Sequence, residues 1–159
     1  MGRIFWNKKQ GTYTNNKYMY LVDLMFMYIN DGNIVSKKIK TNILFPQLKF
    51  PGWGNISPLQ VIKDKNVSIE NYNQILQADL RYPIILDSNL KIVDGAHRLS
   101  KAYILNKKYI RAYIFDRDIM NKFKIGEKKK ERKWIKKDWN YYESLTVKDV
   151  EELYNKRFN

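Results

Sequence analysis

Apolar positions along this chain change period several times, and each change marks an element. In SIENYNQILQADL (68–80), Ile69, Tyr72, Ile75, Leu76 and Leu80 recur at three- and four-residue intervals behind Ser68. That spacing predicts a helix with Ser68 as its N-cap, and Pro83 bars its continuation. YPIIL then reads as a short buried strand, DSN as a turn and LKIVD as a second strand. Gly95 turns the chain into AHRLSKAYILN (96–106), a predicted helix with Leu99, Ala102, Tyr103 and Leu105 or Asn106 inward and Asp94 as its expected cap. KYIRAYIF (108–115) alternates and is rich in Tyr and Ile, which predicts a strand. In TVKDVEELYNKRF, Thr146 with Asp149 three residues on forms a capping-box variant, and Val147, Val150, Leu153 and Tyr154 give the helix an apolar stripe.

The first third has less regular patterning. Residues 1–17 read as an irregular basic arm with Phe5 and Trp6 as anchors. In YMYLVDLMFMYINDGNIVSKKIKTNILF, two apolar segments flank Asn30-Asp31-Gly32-Asn33, the signature of a hairpin turn. Tyr18, Leu21, Val22, Met25 and Ile29 also share a helical face, so a helix is the alternative to the preferred hairpin. FPQLKFPGWGNISP (45–58), with three prolines and two glycines, predicts a loop in which Phe45, Phe50 and Trp53 pack.

These elements imply a small α/β (α+β) fold, a mixed sheet flanked by helices with a basic helical extension at the C-terminal end. The expected division is an arm with a hairpin or helix over 1–40, a core over 41–118 and the extension over 119–159, closing as one unit. The 159 residues suffice for one sizeable core. The absence of cysteine removes disulfides, thiolate metal sites and a thiol nucleophile, and the single histidine cannot build a His-rich zinc site. The start MGRIFWNKKQG lacks the apolar region of a secretory leader, and the longest apolar candidate, 18–29, is broken by Asp23. A soluble, cytoplasmic protein with no membrane partner is expected.

Charge changes the picture further. Thirty Lys and Arg oppose 16 Asp and Glu, a formal +14, which suits polyanionic partners; codon bias toward Lys, Asn, Ile and Tyr is an equal competing source. The excess peaks over 122–137, where nine basic residues face two glutamates. In that run Lys128, Lys129, Lys130, Arg132, Lys133, Lys136 and Lys137 would neutralise DNA or RNA phosphates, and Trp134, with Trp139 just beyond, would stack on bases. A solvated helical face is the bland alternative.

The most concentrated chemistry lies in DGAHR, residues 94–98. A strand ends there and a helix begins, so unpaired N–H groups and the helix dipole would favour an anion over Gly95, Ala96, His97 and Arg98. Arg98 brings a fork of donors, and His97 brings another. An ordinary strand-to-helix turn, with Arg98 bound to a carboxylate, is the competing reading. Lys101, one turn on, and Lys65, ahead of the 68–80 helix, are additional candidates for phosphate contact.

ADLRYPIILDSNLKIVDGAHRLSKAYILNKKYIRAYIF (78–115) resembles the core of ParB/sulfiredoxin-like domains, in particular small ParB-like proteins with a DG-x-HR motif. The resemblance implies a nucleotide, ATP or CTP, bound with Mg²⁺ at this corner, and a possible phosphoryl transfer or nucleotide hydrolysis. Sulfiredoxins are similar around Gly-Gly-Cys-His-Arg, but Ala96 stands at the cysteine position, so sulfinic acid reduction by that route is excluded. Partition-type ParB proteins carry Gly-Glu-Arg-Arg, and here Ala96 and His97 replace the Glu and first Arg. ParB-like free-serine kinases, with Asp-Gly-His-His-Arg, are the nearer match, and by that similarity Asp94 would act as a base or Mg²⁺ ligand. Asp79 is the only other carboxylate with a claim to approach. A ParB-like module that binds, or also cleaves, DNA or RNA through the basic 122–137 segment is the second reading.

Overall fold

The computed structural model describes residues 9–127 and 141–158. They divide into two compact units: residues 36–116 form one, and the chain on either side of that span forms the other.

In the second of these, β1 (Thr12–Thr14), β2 (Tyr18–Leu21) and β7 (Lys124–Glu127) make an antiparallel sheet in the order β1-β2-β7. The turn between β1 and β2 closes on Asn15, whose side chain accepts from the amides of Lys17 and Tyr18. Helix α1 (Val22–Asn30) comes directly after β2. The hairpin preferred from the sequence is therefore not formed around Asn30–Asn33. Gly32 adopts φ +75° and donates to the Ile29 carbonyl, so the Asp-Gly pair ends a helix. The arm expected over 1–17 contributes β1, and the basic extension contributes a strand, β7, besides helix α5 (Arg117–Asn121) and helix α6 (Val147–Phe158). Thr146 and Asp149 close their reciprocal capping bonds at 3.1 and 2.9 Å. Val150 and Tyr154 are buried, whereas Val147 is exposed because it starts the helix. Lys122 and Lys124, the first cations of the basic run, lie over the rings of Phe158 and Tyr18. The remainder of that run, including Trp134, and Trp139 beyond it, lies outside the described residues.

Residues 36–116 carry the mixed sheet. Its order is β3-β6-β4-β5, built from β3 (Lys37–Lys40), β6 (Tyr109–Ile114), β4 (Ile84–Leu86) and β5 (Ile92–Asp94). The central β4–β6 pair is parallel, with Ile84 opposite Ala112, and the outer pairs are antiparallel. A parallel pair needs a crossover, and helix α4 (Ala96–Ile104) is part of it. Ile84, Leu86, Leu99, Ala102, Ile110 and Ala112 close the core with Leu44 and Leu48 from 3₁₀ turns at Thr41–Ile43 and Phe45–Lys49. The turn at 87–91 is tied by Asp87, which accepts from the amides of Asn89 and Lys91. Gln47 pins the far side, donating to the Leu90 carbonyl and accepting from the Ile92 amide.

Two helices flank α4. Helix α3 (Ile69–Gln77) begins at Ser68 as the sequence predicts, but only Ile75 is fully buried; Ile69 and Leu76 are about half exposed at 49% each. Tyr103 and Leu105 of the expected inward face of α4 are likewise exposed, and Ser100 is buried there instead, its hydroxyl donating to the Ala96 carbonyl. The sequence reading missed helix α2 (Pro58–Lys63) at the end of the predicted loop. Its signature is a full capping box: Ser57 Oγ accepts from the Gln60 amide and Gln60 Oε1 accepts from the Ser57 amide. Pro58 then serves as a first-turn residue, where it needs no donor. Phe45 packs edge-on to Tyr103, but Phe50 is exposed rather than packed.

Ser57→Ala removes the cap of this six-residue helix and should cost about 1 kcal/mol. Chemical denaturation should show a lower midpoint with an unchanged slope.

Candidate functional site

Gly95 is the pivot of the site. It is the N-cap of α4, with φ +115° and ψ 22°, a backbone that L side chains rarely adopt. A Cβ there would sit 2.4 Å from Cγ2 and 2.7 Å from Cβ of Ile84. The glycine is thus demanded from the protein side, by contact of the β5–α4 turn with β4.

Asp94 does not cap the helix, contrary to expectation. No side chain does. Its Oδ2 accepts from Arg98 Nη2 at 2.7 Å, one helical turn on. Arg98 Nη1 donates to the carbonyls of Pro83 and Tyr82 at 2.8 and 3.2 Å. The Arg98 side chain is 17% exposed, and its guanidinium spans the entry to β4 and the exit of β5. The competing expectation, Arg98 bound to a carboxylate, describes this arrangement, and the phosphate fork is turned into the protein.

His97 is also engaged. Asn71 Nδ2 donates to Ser68 Oγ at 3.0 Å, which turns Asn71 Oδ1 toward His97 Nε2, 2.9 Å away. With Asn71 Oδ1 facing it, Nε2 is the ring nitrogen placed to donate to Asn71. Trp53 stacks on its other side, with ring centroids 4.5 Å apart and planes 14° from parallel. Trp53 is held by a tight turn in which Trp53 and Ile56 exchange backbone hydrogen bonds around Gly54. Burial pushes the His97 pKa below its ordinary 6.5, opposed by Asp94 and assisted by Arg98. That direction favours the uncharged ring.

The remaining candidates separate clearly. Lys101 donates to the carbonyls of Leu76 and Ala78 at 2.9 and 2.7 Å, satisfying the C-terminal end of α3. Asp79 is paired with Arg81, whose guanidinium and amide draw its pKa down to about 2. Lys65 lies exposed in a 3₁₀ turn after α2, and its carbonyl accepts from the Ser68 amide. What stays open is backbone. Among the described residues, the amides of Ala96, His97 and Arg98 meet no acceptor, while Leu99 donates to the Gly95 carbonyl and starts the helical ladder.

Arg98, Asp94, His97 and Gly95 were legible as a cluster. Asn71, Trp53 and Ser68 were not assigned to it, because each lies more than twenty residues away and reaches the corner only through the packing of α3 and the 53–56 turn. No local sequence signal connects them to His97.

For metal chemistry, no group of three or more His, Asp or Glu able to hold an ion occurs among the described residues. Among them, no helix is long and apolar enough to cross a membrane. Comparison with protein-family models, curated proteins and solved structures finds no match for this chain.

Gly95→Ala combines left-handed strain with the Ile84 clash and should lower stability by about 3 kcal/mol. A thermal melt with loss of the cooperative transition at reduced temperature checks it. The lowered His97 pKa carries a definite sign: below the unfolded value of 6.5 the unfolded chain takes up a proton that the folded ring resists. Stability should fall as pH drops from about 7 toward 5. His97→Gln should flatten that part of the urea-midpoint profile.

Proposed function

We propose that residues 36–116 form a ParB/sulfiredoxin-like domain that receives the phosphates of a nucleotide, ATP or CTP, at the start of α4. The observation that supports this reading is the row of uncapped amides at Ala96, His97 and Arg98, placed where the helix dipole is positive. The DG-x-HR motif between a strand and a helix agrees with it. The side chains act differently from the sequence expectation. Arg98 and Asp94 fix the path of the turn, and the stacked His97 shapes one wall; the backbone does the gripping.

Asp94 is the carboxylate that would hold Mg²⁺ beside bound phosphates. Magnesium often uses one or two protein carboxylates and takes its other ligands from phosphate and water, so one acid at the corner fits. Bound Mg²⁺ would neutralise charge on the phosphates. A phosphoryl transfer or hydrolysis would require Asp94 to exchange its Arg98 partner for the metal or for an acceptor proton.

Thermal melts with ATP and CTP test the reading. A ligand at ten times its Kd should add about 1.4 kcal/mol, about 4 °C in Tm for a chain of this length. Ala96→Glu places a carboxylate at the helix start, which favours the helix and repels phosphate. It should melt no lower than the parent and lose the nucleotide shift. Asp94→Asn, which keeps an acceptor oxygen for Arg98, should lose chiefly the part that depends on Mg²⁺. An unchanged shift in Ala96→Glu would contradict the proposal.

A further inference from the structure

The outer face of β3 and β6 has an arrangement of charge that folding alone does not explain. In their antiparallel register Lys38 lies opposite Arg111 and Lys40 opposite Tyr109, so these four side chains share one face. Ile39 and Ile110 take the other face and pack into the core. Like charges directly opposite on neighbouring strands are destabilising. Among the described residues no carboxylate lies within ion-pair distance of Lys38, Lys107 or Arg111.

Lysines on an edge strand are one common defence against edge-to-edge pairing, and β3 is an edge. That accounts for Lys38 and Lys40. It does not account for Arg111, on the interior strand β6, or for Lys107 just before it. β4 pairs with β6 only from Ala112 to Ile114, which leaves Tyr109–Arg111 without a β4 neighbour. A cavity of about 320 Å³ lies there, lined by Lys38, Leu80, Lys107, Tyr109, Ile110 and Arg111.

The groups around it are organised. Lys38 Nζ sits 4.5 Å from the centroid of the Tyr109 ring, which is 46% exposed. Arg111 is held by Ser36, donating through Nε to its hydroxyl at 2.9 Å and through Nη2 to its carbonyl at 3.0 Å. Its Nη1 meets no protein acceptor among the described residues. An aromatic ring with one cation against it and two more lining the same concave site is a combination that takes a base on the ring and phosphates on the cations. Neither an acidic peptide nor a lipid headgroup would use the ring in this way.

We propose that this face of β3 and β6 binds single-stranded nucleic acid, with backbone phosphates held by Lys38, Lys107 and Arg111 and a base stacked on Tyr109. The surface is separate from the start of α4, so this inference stands whether or not a nucleotide binds there.

The test is fluorescence anisotropy of a labelled fifteen-nucleotide oligo(dT) or oligo(U) with the full chain across a KCl series. The parent should bind at low salt. The double variant Lys38→Gln/Arg111→Gln should bind more weakly, and its slope of log K against log salt should be shallower by about 1.4, the value for two lost phosphate contacts on a single strand. Tyr109→Ala should weaken binding about tenfold with little change in slope, and Tyr109→Phe should restore it. Should Arg111→Gln lower the melting temperature, Lys107→Gln, whose ammonium bonds nothing among the described residues, takes its place. Ala96→Glu should bind oligonucleotide like the parent. The proposal is overturned if no binding occurs at low salt, or if these face variants keep the parental affinity and slope. That second result would move the strand to other cations of the chain. Equal binding of a poly-Glu peptide, indifferent to Tyr109→Ala, would also overturn it.

Discussion

The close approach of Gly95 to Ile84 is the constraint on which the rest of the corner depends. β4 is a buried central strand, and the turn leaving β5 presses against it with no room for a Cβ. That contact requires a glycine, and the glycine's left-handed backbone sets the direction in which α4 departs. Leu99 and Ala102 are thereby delivered to the core, and the first amides of the helix are left without a side-chain cap. The polar bonds of Arg98 reinforce the same geometry, since one guanidinium ties the carbonyls before β4 to the carboxylate ending β5.

The site therefore divides its labour in a way that residue types alone would not suggest. Cationic side chains look like the natural phosphate ligands, yet Arg98 and Lys101 complete backbone carbonyls. Such bonds have consequences for both partners, because carbonyls at a strand entry or a helix end cost free energy if left bare. The stack of Trp53 covers one face of His97 and Asn71 meets its Nε2 edge, and the resulting burial, with the Arg98 charge nearby, favours the neutral ring. On the proposed reading, an anion would be received by a set of backbone dipoles fixed in place.

Much of the fold was readable where local signals and tertiary needs agree. Ser68 and Thr146 mark helix starts through capping, although α3 ends at Gln77, short of residue 80 and well before Pro83, and the strands at 84–86, 92–94 and 109–114 arise from apolar runs bounded by turns. Reading failed where one signature serves two structures. The Asp31-Gly32 pair suits a hairpin turn and a helix end alike, and the chain leaving β2 enters helix α1. Three prolines over 45–58 suggested a loop, but Pro58 occupies the first turn of α2 behind the Ser57 cap. At the site, the sequence located the corner and the glycine on which it turns. It could not show the bonds of Arg98 and His97, since their partners Tyr82, Pro83, Asn71 and Trp53 are brought in by packing.

The central claim is that the amides opening α4 are the receptor for phosphate. Two-dimensional ¹H–¹⁵N spectra recorded while ATP or CTP is added, with Mg²⁺ held constant, address it at the atoms concerned. The account predicts saturable shifts of the Ala96, His97 and Arg98 amide signals, larger than those elsewhere in residues 36–116. Bound nucleotide that leaves those three signals in place would contradict it.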